Sequence, residues 1–322
     1  EAFDPATHEN VMLYLHGDRP SATVEGGIFL EALPGEMNSL TKRGRLRRRL
    51  REAAGEVDVV VAHRMRLALL AQQAYGDALR HGLLIVHGRN TLRRASRRRR
   101  VLKHLVPTWR FAAISGAVRE DLEAAGIPSA SIVDVPNALD IDGVRAGQLS
   151  RDEARRELGL GPAPFLFGAL TRLEPRKGVH TLVEAMHDVP DGVHLAILGS
   201  GPARSELQRR LDDTGLAERV HLLGRRAQAW RLLRAFDALV HPSHEEGFGM
   251  AILEAMATGL PIVATDAGGI PEVMGASADL VPVDEAPALA EAMAAMAAQS
   301  PEDRAAIGEA HLARARARFD LP

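Results

Sequence analysis

The residues best suited to do chemistry lie in the segment 246–254, which reads EGFGMAILE. Gly247 and Gly249 allow a tight turn with close backbone approach, and the N–H groups at the start of the following helix favour a phosphate. Glu246 lies in the turn beside that phosphate position. Glu254 lies in an otherwise apolar helix, where we expect a hydrogen-bonding partner such as a ribose diol. The alternative is that Glu254 faces solvent and the glycines only shape a turn.

Two cations, Arg172 and Lys177, lie in GALTRLEPRKG, between a predicted strand and a predicted helix. Ligand sites lie at strand carboxyl ends in doubly wound folds, so two cations there would neutralise a diphosphate leaving group without a metal. The alternative is that both are solvated loop charges. Other nucleotide motifs fail, because GSGPAR places Arg204 at the last glycine of the dinucleotide motif and the chain has no P-loop.

The elements that must position these residues are clearest in the second half of the chain. Short apolar runs alternate there with helical patterns at the period of βαβ units. This order predicts a doubly wound parallel α/β domain over residues 151–322. We expect strands at 165–170, 194–199, 220–224, 238–243, 261–266 and 279–283.

The first half shows the same alternation less regularly. Its apolar runs are VMLYLHG, EVDVVVAH, GLLIVHG, WRFAAIS and SIVDVPNA. We expect a second α/β domain over residues 1–150, facing the other domain across a cleft that holds the ligand. A polar segment rich in Gly and Pro predicts a linker near residues 142–163.

Residues 42–110 carry 19 basic and 4 acidic side chains, so we expect an anionic partner there. Leu46 and Leu50 lie one turn apart on a cationic helix, which suits an anionic membrane surface at Lys42–Arg51, with Arg93–Arg100 adding charge. Nucleic acid is not expected, because few aromatic residues accompany the arginines. The remaining alternative is an arginine-rich surface without a partner.

Composition excludes several chemistries. The chain has 322 residues, 46% of them hydrophobic and 25% charged, and it has no cysteine. Disulfides, thiolate catalysis, zinc–thiolate sites and iron–sulfur clusters are therefore excluded. No apolar stretch is long enough to span a membrane and the first residues lack the pattern of a signal peptide, so we expect a cytoplasmic protein.

Several segments together resemble the retaining glycosyltransferases of family 4, which have the GT-B fold. They are LTRLEPRKGVHTLVEAM, LAILGSGPARSELQ, RVHLLG and HPSHEEGFGMAILEAMATGLPIVATDAGGIPEVM, with the family's E-x7-E spacing at Glu246 and Glu254. ISGAVREDLEAAGIP and VPNALD extend the resemblance forward, with Ala138 replacing a glycine. The resemblance implies a GT-B fold of two Rossmann-like domains, an acceptor-side domain over 1–150 and a donor-binding domain over 151–322.

The resemblance also implies a site for a nucleoside-diphosphate sugar. Arg172 and Lys177 would hold the diphosphate, Glu246 would bind hydroxyls of the sugar, and Glu254 would bind the ribose. His87, at the end of GLLIVHG, would face the donor sugar, and His63 is a weaker second candidate. The other implied donor-binding residues lie in the turn and helix start after Glu246 and in a segment along the base: Gly247, Phe248, Gly249, Met250 and Ala251, with Gly224 and Arg225.

The implied reaction moves a hexosyl group from a UDP- or GDP-sugar to a glycolipid or polysaccharide-type acceptor, with retention at the anomeric carbon. The positive charges would stabilise the leaving group, so we expect no metal and no other cofactor. Two alternatives are a nucleotide-sugar epimerase on the same fold and a non-catalytic nucleotide-sugar binding module. A glycosidase would need two carboxylates across the sugar, and the sequence does not indicate them.

The chain departs from the family at both ends. The family's first β–α unit and its final crossing helix have no clear counterpart here, so we expect an N-terminal domain that is incomplete by comparison. We interpret the sequence either as part of a longer chain or as a shortened variant.

Overall fold

The computed structural model describes residues 11–14, 28–31, 40–54, 57–63, 65–87, 105–161, 165–275 and 278–321. Contacts divide the chain into two compact units. The first consists of residues 1–86, 94–113 and 122–133, and the second of residues 87–93, 114–121 and 134–322.

Parallel strands with intervening helices make up the first unit. Strand β1 (Val11–Tyr14) pairs with β2 (Ile28–Glu31), and a separate sheet has the order β3-β4-β5-β6. The strands of that sheet are β3 (Val59–Ala62), β4 (His81–Val86), β5 (Trp109–Ala113) and β6 (Ile132–Asp134). Helices α1 (Leu40–Ala54) and α2 (Met65–Tyr75) lie between strands, and α3 (Gly116–Ala124) follows β5.

Helix α1 corrects one expectation. Leu46 and Leu50, predicted to face a membrane, are buried, and α1 packs against α2. The leucine stripe therefore forms core inside this unit, because two amphipathic helices bury their apolar faces against each other. Arg45 and Arg48 remain exposed, so the part of α1 whose side chains the structure describes presents charge while Leu46 and Leu50 are buried. The second basic segment, Arg93–Arg100, lies outside the described residues.

The second unit is built on a five-stranded sheet of the order β11-β10-β7-β8-β9, whose strands pair in parallel. This is the doubly wound order, and it reverses direction between β7 and β10, where such sheets bind their ligands. The strands are β7 (Phe165–Leu170), β8 (Val193–Leu198), β9 (Val220–Gly224), β10 (Ala238–His241) and β11 (Ile262–Ala264).

Helices connect these strands and follow them. They are α4 (Ile141–Gly147), α5 (Arg151–Leu158), α6 (Val179–Ala185), α7 (Arg204–Thr214), α8 (Met250–Thr258), α9 (Ile270–Met274), α10 (Ala286–Ala298) and α11 (Pro301–Phe319). Single 3₁₀ segments include Pro175–Lys177 and Ala229–Ala235. None of the helices in the described part of the chain is long and apolar enough to cross a membrane.

The core of this unit lies on both faces of the sheet. Phe167, Leu195 and Ile197 are fully buried with Leu182 of α6 and Leu289 of α10. On the opposite face of β7, a Cβ on Gly168 would lie 2.3 Å from the ring of Phe236, so the missing side chain makes room for that ring. This packing holds β7 and β10 side by side, which matters for the loops that follow them.

Two sequence predictions about this unit are wrong. The segment 142–163, predicted as a linker, lies inside the second unit and contains most of α4 and all of α5. Ser150 and Glu153 form a capping box that starts α5. The predicted strand at 279–283 is reduced to a single bridge between Val281 and Thr265.

Candidate functional site

Lys177 and Glu246, which are 69 residues apart in sequence, meet at the point where the strand order reverses. Lys177 follows β7, and Glu246 follows β10, the strand beside it. The Lys177 Nζ donates to Glu246 Oε2 at 2.6 Å, and both side chains are largely buried. The structure therefore joins a residue predicted to bind phosphate to the carboxylate predicted to bind the sugar.

The two loops approach each other because Gly178 has no side chain. Its φ is +66°, and a Cβ there would lie 1.8 Å from the carbonyl oxygen of Pro242. The backbone N–H groups of His244 and Glu245 both donate to the carbonyl oxygen of Arg176, at 3.1 and 3.2 Å. The loop after β10 is thus fastened directly to the 3₁₀ turn that carries Lys177.

A third side chain, His241, completes the surroundings of Glu246. It ends β10, its side chain is 5% exposed, and its Nε2 lies 2.9 Å from Glu246 Oε2. A carboxylate only accepts hydrogen bonds, so Nε2 is the donor. Burial alone would raise the pKa of Glu246, but the His241 hydrogen bond and charge and the Lys177 ammonium outweigh it and lower the pKa to about 2.

Sequence reasoning missed His241. It lies within the predicted strand 238–243 and immediately before Pro242, a signal that the strand ends there and that its side chain lies at the sheet's carboxyl edge. Because Lys177 and His241 both donate to it, the Glu246 carboxylate is anionic and fixed in direction. Its Oε2 accepts two strong hydrogen bonds, whereas among the described residues its Oε1 receives only a 3.3 Å contact from the Gly247 N–H.

The turn after Glu246 leads into helix α8 as predicted. Gly249 is the N-cap residue with φ +107°, so the first N–H groups of α8, at Met250 and Ala251, begin without a side-chain cap. Gly247 is buried, and its carbonyl oxygen accepts from the hydroxyl of Ser115 at 2.6 Å. This N-terminus is a suitable place for an anion next to the Lys177 and Glu246 pair.

Phe248, predicted with the donor-binding residues, points its side chain into the core. It is 2% exposed, and its ring packs edge-to-face on Phe319 with ring centroids 5.5 Å apart. Its side chain therefore anchors the turn to α11.

Glu254 lies on α8, half-buried among apolar residues. Burial raises its pKa to about 7, and no charged partner offsets this within the described residues. The expected hydrogen-bonding partner is therefore not a protein group that the structure describes. A carboxyl group buried at this cost is typical of a ligand site.

The other predicted residues are more exposed. The Arg172 side chain is 60% exposed and pairs with Glu174 at 2.9 Å, so it does not join Lys177 directly. Gly224 ends β9 with φ +75°, and Arg225 after it is exposed. His87 follows β4 and His63 follows β3, and both are exposed in the structure.

A metal centre is not indicated by the described residues. Among them, no group of three or more His, Asp or Glu side chains is placed to hold an ion. Positive charge at the site comes from Lys177 and from the N-terminus of α8, and the exposed Arg172 follows the same strand as Lys177.

Comparison with known families identifies the chain. Residues 150–313, just over half of it, match the family described as glycosyl transferases group 1. The chain belongs to this family. Residues 2–142 match glycosyltransferase family 4, so the predicted family is confirmed.

Curated members of the group are similar over part of their length. The lipopolysaccharide core biosynthesis mannosyltransferase LpsB of Rhizobium meliloti is 35% identical over 194 residues, which is 55% of each chain. A GDP-mannose-dependent alpha-(1-6)-phosphatidylinositol monomannoside mannosyltransferase of Mycobacterium tuberculosis is 34% identical over 175 residues, 50% of this chain and 45% of that protein. The chain thus spans about half the length of these relatives.

A solved structure supports the fold of this group 1 member. HepE of Anabaena, in complex with UDP and glucose, is 26% identical with a TM-score of 0.80, and the match covers 91% of this chain and 82% of that one. The predicted GT-B fold class, with a parallel sheet in each of two Rossmann-like units, is confirmed.

Proposed function

We propose that the protein is a retaining glycosyltransferase that moves a hexosyl group from a nucleoside-diphosphate sugar to a saccharide or glycolipid acceptor. The observation that carries this proposal is the Lys177–Glu246 contact beside the N-terminus of α8, where the order of the sheet reverses. Family membership and the similarity to a structure in complex with UDP and glucose add support.

The donor diphosphate would be held by positive charge from two sources. Lys177 supplies an ammonium group, and the N–H groups of Met250 and Ala251 at the start of α8 supply oriented dipoles. Arg172 is exposed and free to swing from Glu174 to a phosphate. These charges would stabilise the leaving group as the bond to the anomeric carbon breaks, and a divalent ion is not required for this step.

The donor sugar would be oriented by Glu246. Because Oε2 is occupied by Lys177 and His241, the less occupied Oε1 is the atom that would accept a sugar hydroxyl. A carboxylate with a pKa of about 2 stays anionic throughout the physiological range, which favours charge-assisted hydrogen bonds. Glu254 would accept hydrogen bonds from the ribose hydroxyls, and His87 would face the donor sugar.

The relatives suggest which nucleotide sugar is the donor and which class of molecule is the acceptor. HepE was solved with UDP and glucose, and the mycobacterial relative uses GDP-mannose, so UDP-glucose and GDP-mannose are the donors to test first. The relatives that act on lipopolysaccharide core and on phosphatidylinositol mannoside suggest a glycolipid acceptor. The cationic surface of α1 would then attract an anionic membrane through charge, because Leu46 and Leu50 are buried.

The test combines calorimetry with donor hydrolysis. UDP and GDP are titrated in the presence of EDTA, and nucleoside diphosphate released from UDP-glucose and GDP-mannose is measured without acceptor. We expect one diphosphate to bind. Lys177→Met should weaken its binding by roughly 10- to 100-fold, as for loss of a charged hydrogen bond. The control Arg209→Met changes an exposed cation on α7.

The same experiment separates the alternatives. Glu246→Gln should keep diphosphate binding and lose most hydrolysis. A wild-type protein that binds a nucleotide sugar but never releases nucleoside diphosphate would be a binding module. Isomerisation of the donor that survives in Glu246→Gln would indicate an epimerase.

A further inference from the structure

A second polar cluster includes a residue of the loop that carries Glu246. It consists of Thr181 on α6, His244 in the loop after β10, and Asp284 in the turn before α10. Thr181 Oγ1 lies 2.8 Å from Asp284 Oδ1 and 3.1 Å from His244 Nε2. Three separate elements are therefore joined at one hydroxyl group.

The chemistry of the hydroxyl sets the order of these hydrogen bonds. A threonine hydroxyl has one proton, and a carboxylate can only accept, so Thr181 donates to Asp284. Its remaining lone pairs accept, so His244 Nε2 donates to Thr181. Thr181 is 6% exposed, and a buried hydroxyl needs such partners. His244 is thus held at its ring and also at its backbone N–H, which donates to the carbonyl oxygen of Arg176.

The backbone of Asp284 supplies an independent observation. Its φ is +61°, in the left-handed region that favours glycine, and Gln228 is the other non-glycine residue with positive φ in the described part of the chain. Asp is tolerated there at a cost in strain, whereas Gly would be free of it. The Asp284 side chain is 73% exposed, so packing does not explain this choice of residue. Its carboxylate Oδ1 instead contacts the Thr181 hydroxyl at 2.8 Å and His244 Nε2 at 3.5 Å.

We propose that Thr181, His244 and Asp284 form a positioning clamp for the Glu246 loop. The clamp holds His244, two residues before Glu246, against α6, and the same loop is tied to Arg176 by two backbone hydrogen bonds. Together these contacts set the position from which Glu246 reaches Lys177. None of the three side chains needs to touch substrate for this role. The catalytic part of the proposal rests on the proposed function.

The sharpest test is Asp284→Gly, because it separates positioning from stability. Glycine relieves the left-handed strain, so the melting temperature should stay the same or rise. Loss of the carboxylate should nevertheless loosen the loop, and amide exchange over residues 242–249 should become about tenfold faster. Donor hydrolysis should show a kcat about three- to tenfold lower, the range expected for one lost hydrogen bond to an exposed carboxylate, with less than a twofold change in UDP or GDP binding.

Matched variants complete the test. Asp284→Asn keeps an acceptor and tolerates the left-handed region, so it should restore most of the exchange protection and kcat. Thr181→Val removes the hydroxyl and keeps the shape of the side chain. Its amide exchange rate over residues 242–249 should match that of Asp284→Gly. The double variant should be no worse than either single variant, because both break one network.

Two results would overturn the clamp. One is an Asp284→Gly protein with wild-type exchange over 242–249, and the other is Asp284→Asn behaving like Asp284→Gly. Exchange does not depend on catalysis, so it decides the clamp even if no donor is hydrolysed. A wild-type protein that does not hydrolyse the donor would contradict the proposed function. The amide exchange rates alone would then decide whether the clamp exists.

Discussion

Two glutamates eight residues apart have opposite electrostatic surroundings. Glu246 has Lys177 and His241 as partners and a pKa lowered to about 2, whereas burial without a charged partner raises the pKa of Glu254 to about 7. The Glu246 carboxylate is anionic and fixed in orientation. The Glu254 carboxyl group is costly to ionise unless a ligand donates hydrogen bonds to it. The contrast matches their proposed roles at the sugar and at the ribose.

His241→Leu tests the histidine that sequence reasoning missed. Removing the Nε2 donor takes away a hydrogen bond to a charged group, worth about 1.5 to 3 kcal/mol, so donor hydrolysis should fall roughly 10- to 100-fold. UDP or GDP binding, measured by calorimetry, should change little, because His241 contacts Glu246 rather than the residues proposed for phosphate. His241→Gln offers an N–H near the Nε2 position and should recover part of the rate. Equal rates for the Leu and Gln variants would contradict this role.

Glu254→Gln tests the cost of the buried carboxyl group. The pKa of Glu254 is raised from 4.5 to about 7, so the folded state binds the proton more tightly than the unfolded state. The contribution of Glu254 to the free energy of unfolding is therefore fully present below pH 4.5 and is lost as pH rises to about 7, by about 3 kcal/mol at most. The Gln variant should lack this decline, and its advantage over wild type should grow between pH 5 and pH 8 in urea unfolding. The exposed Glu291→Gln on α10 is the control; a pH-independent difference for Glu254→Gln would count against the assignment.

At the scale of elements, the site depends on how close two loops come after neighbouring strands. β7 and β10 are paired, and the turns that follow them touch at Gly178 and Pro242. The backbone bonds from His244 and Glu245 to Arg176 hold the contact. Lys177 and Glu246 meet because these backbones meet, so the ion pair is a consequence of the loop packing.

Gly178→Ala should show this dependence. Its Cβ would meet the Pro242 carbonyl oxygen at 1.8 Å in addition to adopting φ +66°, so we expect a loss of about 2 to 4 kcal/mol in urea unfolding. Gly159→Ala is the matched control: Gly159 also has φ +66°, but nothing lies within 4 Å of its Cβ position. It should lose only about 1 to 2 kcal/mol, the cost of the left-handed conformation. Equal losses at the two positions would show that the loops can separate without cost.

For the whole molecule, charge is distributed unevenly between its parts. The segment 42–110 is strongly basic, and in its described portion α1 carries exposed arginines over leucines that are buried against α2. A surface of this kind attracts anions over the range of the Debye length but does not insert into lipid. Any membrane binding through α1 should therefore be electrostatic and reversible.

Vesicle sedimentation tests this expectation. Vesicles with about 30% anionic lipid should bind the protein at low ionic strength and release it at about 0.5 M salt, because the contact is screened. Replacing Arg45, Arg48 and Arg51 of α1 with Ser should weaken binding on the order of 100-fold, at about 1 kcal/mol per cation. Ser at Arg204, Arg209 and Arg210 of α7 is a control with the same change in net charge. Binding that survives high salt would contradict a purely electrostatic contact.

Local sequence pattern was sufficient for most strands and helices of the second unit, although not for the segments 142–163 and 279–283. Apolar runs placed β7 and β9 at their observed bounds, because strands in a parallel sheet are buried on both faces and need continuous apolar sequence. The glycines after Glu246 and the apolar stretch from Met250 placed the start of α8 correctly. These features depend on neighbours in the chain, so they can be read from spacing alone.

Pairings between distant residues depended on the tertiary structure. Nothing near Lys177 in sequence indicates Glu246 as its partner, or His241 as a second donor to the same oxygen. Local composition also predicted a linker where the structure has α5, which a capping box starts. It predicted a strand where the structure has a single bridge at Val281. The sequence names the groups that can do the chemistry, whereas their distances and their ionisation depend on strand order and burial, which arise only when the sheet has assembled.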